Sequence, residues 1–145
     1  MTKLPTQANP CSACPYRKDA PSGLWAPTEY AKLPEYDNPT HAQPLGVFMC
    51  HDGDRSTDLC RGWLDAIDKE NNLALRFACG MGSLSPEIID LPKSSTPCFN
   101  SGQEACDHGM RDIDCISDKA ARKQEQLLNR HPDLKTLDDV TPDSI

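Results

Sequence analysis

A small, mainly α and irregular fold, with short helices and proline-rich loops organised around a four-cysteine metal site, is what the sequence predicts. Three observations point there. Thirteen prolines and eight glycines in 145 residues cut the chain into short pieces. Aromatic residues make up only 6% of it, too little for a hydrophobic core to hold the fold unaided. Eight cysteines supply the missing clamp, either as disulfides or as metal ligands.

The length suits one domain, or one small domain with an appended tail. We divide it into a disordered lead over 1–9, a cysteine metal-binding domain over 10–92 and a helical C-terminal extension over 93–145. The lead is polar, carries Pro5, ends before Pro10 and shows no apolar period. Prolines at 15, 21, 27, 34, 39 and 44 then leave room for one helical turn, Thr28–Leu33, stopped by Pro34. Leu45–Met49 is short and apolar, an extended segment running into Cys50.

Ser56-Thr57-Asp58 resembles an N-cap cluster, and Leu59, Trp63, Ala66 and Ile67 recur at helical spacing, so a helix is expected over about 57–69. Leu73–Cys79 resumes helical composition before the Gly80-Met81-Gly82 stop. Ser85-Pro86-Glu87 starts a short helix through Leu91. Ser101-x-x-Glu104 is a capping box that starts a helix carrying Cys106. Ser117-Asp118 opens the clearest helix, Lys119–Arg130, a mostly polar element expected to lie outside the cysteine site. The end, 134–145, reads as an acidic tail with one helical turn.

The N-terminus lacks the apolar core of a secretory signal, and no run of about 18 apolar residues occurs, so no membrane span is expected. A cytoplasmic location follows, where thiols stay reduced and metal ligation outranks disulfides. The formal charge of −7 argues against nonspecific nucleic-acid binding and suits a protein partner. Arg17-Lys18 is the one basic pair beside the first cysteines.

Cys11-Ser-Ala-Cys14-Pro15 puts two thiols on one tight turn, the spacing of half a metal site. A redox dithiol is the rival reading, but that motif opens a helix after a strand, and neither is expected here. Cys50 and Cys60 complete a four-sulfur set, with Cys60 in the first turn of the Trp63 helix, where helix amides favour a thiolate. They also read as two buried structural cysteines. Nine residues separate Cys50 from Cys60, more than a zinc knuckle uses, so one [4Fe-4S] iron-sulfur cluster ranks above zinc. Tyr16, Trp25, Phe48 and Trp63 read first as ordinary core, and near the four positions they would also exclude water from a cluster. Cys79, Cys98, Cys106 and Cys115 form a looser possible second metal group without knuckle spacing. Asp52-Gly53-Asp54 is a turn, since it lacks the spaced acids of a calcium loop.

The segments Cys11-Ser-Ala-Cys14-Pro-Tyr-Arg-Lys-Asp19-Ala-Pro21-Ser-Gly23, Phe48-Met-Cys50-His51, Cys60-Arg-Gly62-Trp63-Leu64 and Asn72-Leu-Ala-Leu-Arg76 resemble a family of small uncharacterised proteins of actinobacteria and their phages. The resemblance covers about residues 10–82. It implies a bacterial or phage origin and places Arg17, Asp19, His51, Trp63 and Arg76 around the site, but implies no activity.

Three function classes follow: an iron-sulfur protein with a regulatory or protein-interaction role, a structural zinc module, and a cluster-dependent redox protein or enzyme. The third ranks last, because no nucleotide loop, nucleophile elbow or placed acid–base pair is visible.

Overall fold

The computed structural model describes residues 6–50 and 58–130. Among them are five α-helices and no strand: α1 Pro27–Ala31, α2 Arg61–Ala66, α3 Leu73–Gly80, α4 Gly102–Met110 and α5 Asp118–Arg130. Four 3₁₀ turns, Pro34–Asp37, Thr40–Ala42, Lys69–Asn71 and Pro86–Asp90, punctuate the loops. The mainly α, irregular architecture therefore holds. None of the described helices is long and apolar enough to cross a membrane. His51, the Asp52-Gly53-Asp54 turn, Ser56-Thr57 and the acidic tail lie outside the described residues.

Several elements differ from expectation. The helix expected over 57–69 is only α2, because the backbone of 58–60 is used in pairing. Met49 and Leu59 form an antiparallel bridge, flanked by Cys50 N–H donating to Asp58 O (2.9 Å) and Cys60 N–H to Phe48 O (2.8 Å). The Asp58 carbonyl and the Cys60 N–H are spent on that ladder, and the helix begins with the Cys60 carbonyl, which accepts from Leu64 N–H (3.1 Å). Cys60 is thus the N-cap of α2 and not in its first turn. The helix expected through Leu91 is a 3₁₀ turn. Thr6 and Gln7, expected in a disordered lead, are bound instead. Thr6 bridges Leu59 and donates from Oγ1 to its carbonyl (3.0 Å), and the Gln7 amide reaches Asp58 (2.6 Å).

One core joins the whole described chain. Ala13, Tyr16, Leu24, Trp25, Tyr30, Leu33, Trp63, Leu64, Leu75, Ile88, Ala105 and Leu127 belong to a single buried cluster. The extension expected from residue 93 onward contributes Ala105, Ala120 and Leu127 to the buried interior. The N-cap half of the expected capping box forms: Ser101 Oγ accepts from Glu104 N–H (3.2 Å), while the Glu104 carboxylate accepts from the Ser101 hydroxyl (3.3 Å). Asp37 adds a long-range cap, accepting from Gly102 N–H and Gln103 N–H at 2.7 Å each. Gly109 lets α4 approach α1, since a Cβ there would lie 2.1 Å from the Tyr30 ring.

Helix α5 shows how a polar sequence packs. Ala120, Gln124 and Leu127, at i, i+4 and i+7, form its buried stripe. Gln124 is only 4% exposed because its amide donates to Gly23 O (3.0 Å) and Leu24 O (3.1 Å). These bonds make burial of a polar side chain tolerable.

Candidate metal centre

The Cys11–Cys14 turn is built locally. Cys14 N–H donates to Cys11 O and Arg17 N–H to Cys14 O, both at 3.0 Å. The buried Trp25 indole pins the middle of the turn by donating to Ala13 O (2.8 Å). The second pair is delivered by the ladder around Met49 and Leu59. In antiparallel pairing Phe48 stands opposite Cys60, and Cys50 shares the Phe48 face by the two-residue period. Cys50 and Cys60 are therefore diagonal neighbours on one face, a relation that spans about 7–8 Å between backbones.

The two pairs meet. The thiols of Cys14 and Cys60 are in contact at 3.6 Å. The Cys11 thiol is held well above the ordinary thiol range, first by the influence of the Cys50 thiol, then by burial and the charges of Cys14 and Cys50. Cys60 is pushed well above the ordinary thiol range, first by burial, then by its hydrogen bond with Cys14 and the charge there, while Trp63 N–H opposes the shift. That N–H donates to Cys60 Sγ at 3.4 Å, so the thiol itself caps α2. Burial thus outweighs the helix amide, and the metal-free site holds Cys11 and Cys60 as neutral thiols. Cys14, Cys50 and Cys60 are buried, Cys11 half-buried, and all four are free of disulfides. Among the described residues no group of three or more His, Cys, Asp or Glu side chains is spaced to hold a metal ion as it stands.

Close approach at Gly62 is required. A Cβ there would lie 2.4 Å from Cys14 Sγ and 2.9 Å from Tyr16 Cβ. The aromatic wall expected from the sequence is present and includes Tyr36 as well. Tyr16 and Phe48 pack edge to face at 6.1 Å between centroids, Tyr36 and Phe48 at 6.2 Å, and Tyr36 and Trp63 at 5.3 Å. The Tyr16 hydroxyl and the Trp63 indole N–H are buried with no partner among the described residues. Burial raises the Tyr16 pKa well above its usual value, followed by the charge of Cys60.

Of the residues placed around the site by resemblance, Arg17 pairs with Asp19 at 2.6 Å and donates to Pro10 O at 3.1 Å, bracing the turn from outside. Trp63 lies within the site. Arg76 is exposed on α3.

The second group of cysteines has separate surroundings. Cys98 lies beside the first group: residues 97–99 run antiparallel to 16–18, with an Arg17–Cys98 bridge and Phe99 N–H donating to Tyr16 O at 2.8 Å. Burial and then the charge of Cys14 push its thiol up to about 12. Cys79 lies 3.9 Å from Ser85 O, Cys106 sits on α4 with its thiol raised by burial and Asp107, and Cys115 is exposed.

Sequence reasoning missed two supports. Arg61 and Asp65 form a buried pair (3.2 Å) in which Arg61 also donates to Pro92 O (2.5 Å) and Asp65 accepts from Ser94 N–H (3.1 Å). Their i, i+4 spacing was the available signal. The other is α5, expected outside the site, whose Lys123 donates to the Ser12 hydroxyl between Cys11 and Cys14. That contact corrects the expected isolation of α5, and no local pattern announces it.

The chain belongs to the family of unknown function DUF6283, which it matches over residues 6–125. The match extends well past residue 82 and takes in Cys98, Cys106, Cys115 and most of α5. Neither a curated protein nor a solved structure matches the chain.

Proposed function

Because that family carries no assigned activity, we propose from the site alone that this is a metal-binding protein whose metal is held by the thiolates of Cys11, Cys14, Cys50 and Cys60. The observation that carries the reading is the contact of Cys14 with Cys60 at 3.6 Å, alongside the influence of Cys50 on the Cys11 thiol. Thiols from two distant segments come together there, and a metal would replace their protons and their mutual crowding with bonds.

The donor set fits zinc. A tetrahedral ion with bonds of about 2.3 Å sets its ligand sulfurs about 3.8 Å apart, close to the Cys14–Cys60 separation. Burial of three of the four thiols also suits a closed site that folds the chain and keeps no position open for substrate. On this reading the metal ties the proline-rich wrap of 15–44 to α2, and the protein works through the surface so organised, in a regulatory or protein-interaction role.

The iron-sulfur reading stands second, favoured by the nine-residue separation of Cys50 and Cys60 and by the unpartnered Tyr16 hydroxyl, a ready donor to a cluster sulfur. A [4Fe-4S] cluster binds each thiolate to a different iron, so it would need Cys14 and Cys60 to part.

Anaerobic purification with metal and acid-labile sulfide analysis is the deciding test. One zinc per colourless chain supports the zinc reading. A brown chain with matched iron and sulfide transfers the site to the cluster. A metal-free chain that takes up neither after reconstitution, with all four cysteines still reduced, overturns the proposal.

A further inference from the structure

The protein is acidic overall, with a formal charge of −7, yet one pocket is strongly basic. A cavity of about 310 Å³ is lined by Ser12, Arg17, Asp19, Lys119, Arg122 and Lys123, with Pro21 and Gln126 completing the wall. Lys119, Arg122, Lys123 and Gln126 stand at i, i+3, i+4 and i+7 on α5, so one helical face supplies three cations. Arg17 faces them from the cysteine turn. Four cations meet a single carboxylate, Asp19, which already neutralises part of Arg17.

Two of the cations are held in place. Arg17 is fixed by Asp19 (2.6 Å) and Pro10 O (3.1 Å), and Lys123 by the Ser12 hydroxyl. Lys119 and Arg122 are exposed arms at the rim. A set of like charges on facing elements costs energy unless an anion joins it. Guanidinium and ammonium groups from two sides suit an oxyanion with several acceptor oxygens. The lining has no aromatic side chain, so nothing in it would stack on a nucleobase. The cavity is near the lower end of small-molecule sites.

We propose that this pocket binds a compact phosphorylated small molecule through Arg17, Lys119, Arg122 and Lys123. Ser12, one of its lining residues, lies inside the Cys11–Cys14 turn, so the ligand would sit beside that turn. The assignment does not depend on which metal the thiols hold.

The test is calorimetric titration of the full-length protein, as purified, with inorganic pyrophosphate at low salt. The Lys119→Glu, Arg122→Glu double variant is compared with Lys93→Glu, Arg111→Glu, a charge-matched pair of exposed cations elsewhere. One saturable site is expected, weakened by added salt, at least about tenfold weaker in the pocket variant and changed less than about threefold in the control. Equal loss in both variants would mean general charge attraction, and absence of saturable binding would mean a solvated helix face. Tight binding of a short single-stranded oligonucleotide without pyrophosphate binding would mean a nucleic-acid surface. Each of these three results overturns the proposal.

Discussion

Replacing Gly62 with alanine places a methyl group where the structure has none to spare. In an ordinary helix interior the change stabilises by about 1 kcal/mol, because glycine gives up more backbone freedom on folding. Here the new Cβ would start 2.4 Å from Cys14 Sγ and 2.9 Å from Tyr16 Cβ. To reach ordinary contact near 3.5 Å, the sulfur must move by about 1 Å, against a core that includes Tyr16, Cys60 and Trp63. Overpacking of this kind costs about 1–3 kcal/mol. Set against that gain, the net expectation is a loss of about 1 kcal/mol, up to about 2, or a urea midpoint lower by up to about 1 M with unchanged slope. The control is Gly80→Ala at the end of α3, where an added Cβ meets nothing within 4 Å; its stability should stay level or rise. Unfolding of the reduced, metal-free chains measures the packing term, and metal content of the purified proteins measures whether the displaced thiol still binds. A Gly62→Ala protein more stable than its parent and fully loaded with metal would refute the close packing of α2 on the cysteine turn.

Leu127→Ala should cost about 2–5 kcal/mol in urea unfolding, since its side chain is fully buried; a cost below about 1 kcal/mol would mean α5 is not part of the core. Asp65→Ala leaves the Arg61 guanidinium buried without its carboxylate, a change worth about 3–5 kcal/mol, and it releases Ser94. Faster proteolysis between residues 92 and 98 should accompany that loss, and unchanged cleavage would contradict the tether. Cys98, whose thiol is pushed up to about 12 by burial and the charge of Cys14, stays protonated at pH 8. Mass-spectrometric timing of iodoacetamide labelling should find it at least about tenfold slower than free glutathione, accelerating as the pH climbs toward 12; equal rates at pH 8 would exclude the shift. Its sign carries into stability: a raised folded pKa favours the fold below the unfolded value of 9.0, and that contribution is lost as pH rises from 9 toward 12.

Features encoded within a few residues could be read directly. The Cys11–Cys14 turn, the Ser101 N-cap and the start of α5 all depend on neighbours along the chain. Proline spacing likewise limits α1 to five residues. Long-range pairing was opaque. Asp58, Leu59 and Cys60 carry a helical apolar period, but pairing with Phe48–Cys50 claims their backbone and moves the start of α2 to Arg61. Cys98 enters the neighbourhood of Cys14 only because residues 97–99 line up with 16–18. Gln124 reads as a solvent position until Gly23 and Leu24 present their carbonyls to it, which is why the whole of α5 looked peripheral. At the candidate site the cysteine identities were visible, whereas the glycine that permits their approach and the Arg61–Asp65–Ser94 anchor were not. A glycine is silent about what fills its missing side chain, and a charged pair in sequence says nothing of its burial.

The wide separation of the two cysteine pairs also has a time axis. Cys14 is made 46 residues before Cys60, the thiol it touches, and at synthesis rates of about 5–20 residues per second this interval is roughly 2–9 s. Through that window the first pair has neither its partner thiols nor the shelter of Trp63. The contact from Lys123 to Ser12 arrives later still, after another 63 residues. The nascent chain therefore carries an open dithiol for seconds before the fold can cover it, and an oxidising surrounding would reach Cys11 and Cys14 before Cys50 and Cys60 emerge to join them.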